Sequence, residues 1–196
     1  MKLLVASNND HKIKEYEEMF SPLGIEVIAP KDLGIKDEAI ENGKTFEENS
    51  LIKANFLKKY VDYPIIADDS GLCIDALNGF PGIYSARFAK ERGGHLKANL
   101  DIIDLLKKHD DKSASFICVI TLVNVKDEPV VFKGVCPGYI LSSPVGDNGF
   151  GYDPIFFSNE AGVAFGDAEP EIKNKYSHRA KALALLVNYF KENKLL

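Results

Sequence analysis

The 196-residue chain contains no tryptophan, only two methionines and three cysteines, and no apolar run long enough to cross a bilayer. The cysteines, Cys73, Cys118 and Cys136, are widely spaced and odd in number. Each stands among apolar neighbours, so they read as buried free thiols in a reducing compartment rather than as disulfides or a zinc site. The opening MKLLVASNND holds too few apolar residues for a secretory leader and suits a first strand. The expectation is a cytoplasmic protein. An excess of basic residues is missing too: 24 Lys and Arg face 29 Asp and Glu, a formal net charge of -5. That balance argues against general binding to nucleic acid or to an acidic membrane. The phosphate-binding pattern GxxxxGK[ST] does not occur.

What is present is a globular composition. Hydrophobic residues make up 45% of the chain, enough for a sizeable core, and the length, residues 1–196, suits one large domain or two closely joined lobes. KLLVA at 2–6 and IEVIA at 25–29 read as short buried strands. Between them a helix runs from about Lys12 to Phe20, with Ile13, Tyr16 and Phe20 on one side, until Pro22 and Gly24 stop it. Thr45 and Glu48 form a capping box that opens a helix reaching about Tyr60. PIIA and GLCIDAL are predicted strands on either side of Asp68–Ser70. Leu96, Leu100, Ile103 and Leu106 mark an amphipathic helix. Residues 115–125 and 129–136 predict a hairpin around KDE, with GYIL at 138–141 the next strand and IFF a short one after it. Leu183, Leu186, Val187 and Phe190 define a last helix. Helices and strands alternate early and strands cluster late, so the fold class is α/β, a mixed sheet flanked by helices.

Several stretches carry candidate chemistry. SNNDHK, Ser7 to Lys12, leaves a strand and opens a helix, where unpaired N–H groups attract anions; an Asn-rich structural turn is the plain alternative. Asn49 and Lys53 share a helix face, which is either a wet ligand face or an ordinary solvated one. IIADDSGL at 65–72 sets Asp68 beside Asp69, and two readings stand: a solvated turn, or carboxylates that hold a metal and activate water. Neighbouring strand residues point to opposite faces, so the two aspartates need not share a task. Glu41 or Glu38 is available as a second metal ligand. In GDNGFGYDP the three glycines allow close backbone approach, Phe150 and Tyr152 offer flat faces for a base, and Asp153 closes the loop. Ser177 reads as an N-cap that puts His178 and Arg179 in a first helical turn, where cations are disfavoured unless they have a role. Lys173 lies just upstream.

In order and in register, SNNDHK, ENGKTFEENSLIKA, ADDSGL, FPGIYSARF, NGFGYDPIFF and KYSHRAKAL resemble the inosine/xanthosine triphosphate pyrophosphatase family across nearly the whole chain. The resemblance implies an elongated mixed sheet flanked by helices, two lobes with a central cleft, and a homodimer. It implies hydrolysis of ITP, dITP and XTP to the monophosphate and pyrophosphate with Mg²⁺. Asp69 matches the proton acceptor and metal ligand, and Glu41 an acidic position near the metal. Ser7, Asn8, Asn9, Asp10, His11, Lys12 and Lys53 match the triphosphate site, and Ser70 a substrate contact beside Asp69. Phe150, Gly151, Tyr152 and Asp153 match the base-stacking segment, and Lys173, His178 and Arg179 the residues that read the purine edge. Two alternatives are another Mg²⁺-dependent nucleotide phosphohydrolase and a nucleotide-binding protein without catalysis.

Overall fold

The computed structural model describes residues 1–195. Seven strands form one sheet in the order β2-β1-β3-β4-β5-β6-β7: β1 (Lys2–Val5), β2 (Glu26–Ile28), β3 (Ile65–Ile74), β4 (Ser113–Val123), β5 (Val130–Ile140), β6 (Phe156–Ser158) and β7 (Val163–Ala164). The sheet is mixed: β1 pairs in parallel with β2 and β3, whereas β5–β6 and β6–β7 are antiparallel. Among the described residues six α-helices accompany it: α1 (Asp10–Phe20), α2 (Phe46–Leu57), α3 (Ser85–Glu91), α4 (His95–Leu106), α5 (Pro170–Tyr176) and α6 (His178–Glu192). The chain divides into two compact units, one comprising Met1–Asp69, Val119–Lys133 and the chain from Ala182 onward, the other Ser70–Cys118 and Gly134–Lys181.

In the first unit, α1 buries Ile13, Tyr16 and Phe20, the predicted stripe, and Gly24 ends the following turn at φ +69, a left-handed conformation that favours glycine. Leu4, Ile28, Ile35, Ala54, Leu57, Ile65, Ala67 and Val123 form its apolar cluster. The cap of α2 departs from the predicted box. Thr45 Oγ1 accepts the Glu48 N–H at 3.1 Å, but the Glu48 carboxylate accepts from Lys44 N rather than from Thr45. The helix also ends at Leu57, not Tyr60. Asn49 is not on a wet face: it is buried and its Oδ1 accepts the Gly43 N–H at 2.9 Å. A Cβ on Gly43 would stand 2.7 Å from that oxygen, so the contact requires glycine.

The second unit packs Leu72, Ile74, Phe88, Ala98, Ile102, Leu106, Phe116, Cys136, Ile140, Tyr152, Ile155, Phe156 and Phe165 together. Three expectations are corrected there or at its border. PIIA and GLCIDAL merge into one strand, β3, which runs straight through Asp68, Asp69 and Ser70, so the solvated turn does not form; Asp75–Leu77, predicted as strand, is a 3-10 turn. Gly71 serves close packing rather than turning, since a Cβ there would lie 2.2 Å from the Gly82 carbonyl oxygen. The predicted strands at 129–136 and 138–141 are likewise one strand, β5. In α4 the buried face is Ala98, Asn99, Ile102 and Leu106, while Leu96 is 74% exposed and Leu100 is exposed as well. The periodicity is helical, but the leucines lie beside the core-facing stripe.

Candidate active site

Burial of Ile65, Ile66 and Ala67 fixes the register of β3, and strand alternation then sends its next two side chains to different partners. Asp68, only 1% exposed, accepts a charge-assisted hydrogen bond from Lys12 Nζ of α1 at 2.9 Å. Asp69 accepts one from Lys53 Nζ of α2 through Oδ1 at 3.2 Å. The same ammonium lies 3.2 Å from Glu41 Oε2. Three carboxylates and two lysines are thus drawn together by two helices, one strand and the irregular segment before α2 that carries Glu41. Burial raises the Asp69 pKa above the ordinary aspartate value; Lys53 and Lys12 oppose that rise and Glu41 adds to it. For Lys53, burial works against the charge, but Asp69, Asp68 and Glu41 together hold its pKa above the ordinary lysine value.

Asp69 Oδ2 is buried and receives no hydrogen bond, although its partner oxygen is engaged. An anionic oxygen in that position needs a cation or a donor to offset its burial. Mg²⁺ takes one or two carboxylates together with phosphate oxygens and water, so Asp69 and Glu41 fit a divalent cation shared with a phosphorylated ligand. Among the described residues, no three His, Cys, Asp or Glu side chains are grouped to hold a metal on their own. Glu38, the other carboxylate considered, is engaged elsewhere: its Oε1 accepts from Asn8 Nδ2 at 2.9 Å.

The loop before α1 already uses some donors that a phosphate was expected to meet. Asn9 is the N-cap, its Oδ1 accepting the N–H groups of His11 at 3.0 Å and Lys12 at 3.3 Å. Ser7 Oγ accepts the Asn9 N–H, and Asp10 pairs with Lys31. His11 is exposed at the first turn. From this loop Lys12 reaches the aspartates of β3, its ammonium 2.9 Å from Asp68.

The second unit assembles a different set. Ser177 breaks the chain between α5 and α6 in an extended conformation, and its Oγ accepts the Ala180 N–H at 3.1 Å, the predicted N-cap. His178 and Arg179 are buried rather than an exposed pair. The His178 ring stacks on Phe116, centroids 4.8 Å apart and planes 14° off parallel. Arg179 donates from Nη2 to Ser70 Oγ at 3.2 Å, next to Asp69 in the chain. In the glycine loop, Asp153 Oδ2 accepts both the Phe150 N–H at 2.8 Å and Lys173 Nζ at 2.7 Å. Lys173 Nζ stands 4.4 Å from the Phe150 ring centroid, a cation–π contact. Gly149 has φ +70, and a Cβ there would meet Asp153 Oδ2 at 2.1 Å.

Tyr152 departs from the expected base-stacking role. It is buried in the apolar cluster, its hydroxyl donates to the Ser85 carbonyl, and burial pushes its pKa upward. Phe150, by contrast, is half-buried. Gly151 leads to two residues that leucine spacing concealed. Asn99 donates from Nδ2 to the Gly151 carbonyl oxygen at 3.1 Å, and His95, one turn earlier, sets its ring edge-on to Tyr152 with centroids 5.0 Å apart. The signal for Asn99 was a polar residue one place from Ala98 and three from Ile102 in a helix otherwise read from its leucines.

The Ham1 family model matches residues 3–189. A dITP/XTP pyrophosphatase of Clostridium perfringens is 44% identical over 198 residues, covering 97% of this chain and 97% of its own. One from Haemophilus influenzae is 43% identical, covering 94% and 96%. Among solved structures, the Ham1 protein of Staphylococcus aureus superposes with a TM-score of 0.87 at 37% identity, over 98% of this chain and all of its own. That of Coxiella burnetii gives 0.88 at 36%, over 98% and 99%. The matched blocks extend from the first strand into the last helix, and the chain belongs to the Ham1 family.

Proposed function

We propose that this protein hydrolyses non-canonical purine nucleoside triphosphates, dITP, ITP and XTP, to the monophosphate and pyrophosphate. The carrying observation is the pairing of two helix lysines with adjacent aspartates of one strand, Lys12 with Asp68 and Lys53 with Asp69. Such a cluster suits a polyphosphate: the ammonium groups exchange a carboxylate for phosphate oxygens, and the carboxylates become available to a cation. The names of the curated relatives, dITP/XTP pyrophosphatases, support the same reading.

Mg²⁺, held by Asp69 and Glu41 with phosphate oxygens, would supply charge neutralisation at the phosphates. Asp69 accepts the proton of the attacking water as its oxygen bonds to the α-phosphorus. The bond from that phosphorus to the bridging oxygen breaks, and pyrophosphate leaves with its charge held by Lys12 and Lys53. Ser7 to His11 line the approach to Lys12. Phe150 offers its face to the base, and Lys173, His178 and Arg179 supply donors for a 6-keto oxygen, with Ser70 holding Arg179 in place. Adenine presents a 6-amino donor instead and leaves a buried donor unmatched, which is costly.

The deciding experiment is turnover of dITP, ITP, XTP, ATP and GTP with Mg²⁺, with pyrophosphate resolved from orthophosphate. Pyrophosphate from the inosine and xanthosine substrates is the expected product. Orthophosphate, or equal rates on ATP and GTP, would overturn the reading. A homodimer and a cytoplasmic location complete the proposal; light scattering on the purified chain tests the first. Among the described residues no helix is long and apolar enough to cross a membrane.

A further inference from the structure

Asn99 is an unusual choice for its place. It lies on the core-facing side of α4 with Ala98, Ile102 and Leu106, is 3% exposed, and has poor intrinsic helix propensity. Its Oδ1 is buried without a hydrogen-bond partner. A polar group left half-satisfied in an apolar cluster weakens packing, so packing alone does not account for it. Its Nδ2 makes one contact, with the carbonyl oxygen of Gly151 at 3.1 Å. That contact also fixes the amide orientation, since the reverse would set oxygen against oxygen.

Gly151 follows Phe150, and the loop is held at its other points by different groups. Phe150 N–H is held by Asp153, and the Tyr152 hydroxyl by the Ser85 carbonyl. His95, four residues before Asn99 and on the same helix face, covers Tyr152 edge-on. Gly151 itself has φ +67, so its peptide is turned in a way that an unrestrained loop would sample among several. The Asn99 bond holds the Gly151 carbonyl in one of those orientations, at the residue that directly follows Phe150.

Resting on the activity proposed above, we infer that Asn99 is a positioning residue for base selection: by holding the Gly151 carbonyl, it fixes Phe150 against the purine without touching substrate itself. Its hydrogen bond goes to the glycine loop and to none of the lysines paired with β3, so its removal is expected to act on base discrimination and to spare polyphosphate binding.

The test is steady-state kinetics of the full chain with Mg²⁺ on dITP and dATP, with inhibition by inorganic tripolyphosphate as a probe that carries no base. Losing one net hydrogen bond predicts a rise of about 3- to 10-fold in KM for dITP in Asn99→Ala, and a similar compression of the dITP-to-dATP ratio of kcat/KM. The tripolyphosphate inhibition constant should stay within about twofold of wild type. Asn99→Asp, which sets a carboxylate against the carbonyl, should be worse in the same readouts. If Asn99→Ala does not fold, Asn99→Ser, with a shorter donor, carries the same comparison. An unchanged dITP-to-dATP ratio, or an equal loss of tripolyphosphate binding, would overturn the inference while leaving the activity intact. A wild-type protein inert on dITP would overturn the activity itself and the inference with it.

Discussion

Lys53 Nζ stands 3.2 Å from Asp69 Oδ1 and 3.2 Å from Glu41 Oε2, so a single ammonium group is shared by the proposed base and the proposed second metal ligand. Burial raises the pKa of Asp69 within this arrangement, whereas the surrounding carboxylates raise that of Lys53. The cluster therefore favours a protonated acid and a protonated amine more than water would.

For Asp69→Asn the expected outcome is loss of turnover by about 100-fold to 10,000-fold, the usual contribution of a positioned base. Circular dichroism should report an unchanged fold. A variant that releases pyrophosphate from dITP near the wild-type rate would remove Asp69 from the reaction.

The pH dependence follows from the same group. Asp69 has to be ionised to accept a proton, so kcat/KM should fall on acidification with an apparent pKa above the ordinary aspartate value of 3.8. For stability the sign is opposite. A carboxyl group whose folded pKa is raised contributes stability below its unfolded pKa and loses it as pH rises through the folded one. Asp69→Asn does not titrate, so its stability relative to wild type should increase as pH rises from the ordinary aspartate value of 3.8 through the raised folded one, as read by urea unfolding. A constant difference across that range would contradict the shift.

Asp68 and Lys12 should be energetically coupled. Lys12 keeps partial exposure, so the pair is worth less than a fully buried one, and a double-mutant cycle of Asp68→Asn with Lys12→Met should give a coupling of about 0.5–3 kcal/mol. Additive single-variant effects would mean that the 2.9 Å contact contributes nothing measurable.

His178→Ala should lower the dITP-to-ATP ratio of kcat/KM more than it changes inhibition by tripolyphosphate. It also removes a ring stacked on Phe116, so a loss of about 1–3 kcal/mol in stability is expected beside it, in line with other buried truncations. Equal ratios in variant and wild type would place base reading on Lys173 or Arg179.

Gly71→Ala should destabilise the protein by about 1–3 kcal/mol, the usual cost of overpacking, because its Cβ would sit 2.2 Å from the Gly82 carbonyl oxygen. Thermal unfolding reads this directly. A variant as stable as wild type would show that the 82–84 turn shifts without cost.

Much of this was readable from residue order. Periodicity found α1 and its buried face, and the residue types at Thr45 and Ser177 located two helix starts. Alternation along a strand implies that Asp68 and Asp69 need not share a task, and they meet different lysines. The failures have physical causes. Asp, Asp, Ser and Gly have strong turn propensity, but Lys12, Lys53 and Arg179 each bind a β3 side chain there, and tertiary contacts override local preference. Tyr152 looked like a stacking platform because an aromatic in a glycine loop gives no sign of which way it faces. Leu96 and Leu100 obey helical spacing on the wrong stripe, and only Ala98 and Ile102 mark the buried one. Asn99 was invisible for a related reason: its partner is a backbone carbonyl 52 positions away, and carbonyls leave no trace in residue identity.

The Asp153 carboxylate closes the loop at Phe150 and seats the Lys173 ammonium with the same oxygen. If this loop meets the base as proposed, retuning it toward another base is not a one-position problem. Neutralising Lys173 would remove a charged partner of Asp153 and the cation over the Phe150 ring, while replacing Asp153 would release both Lys173 and the Phe150 N–H from that oxygen. Variation is better tolerated at the Phe150 ring itself, whose identity can change while the main-chain latch beneath it stays closed.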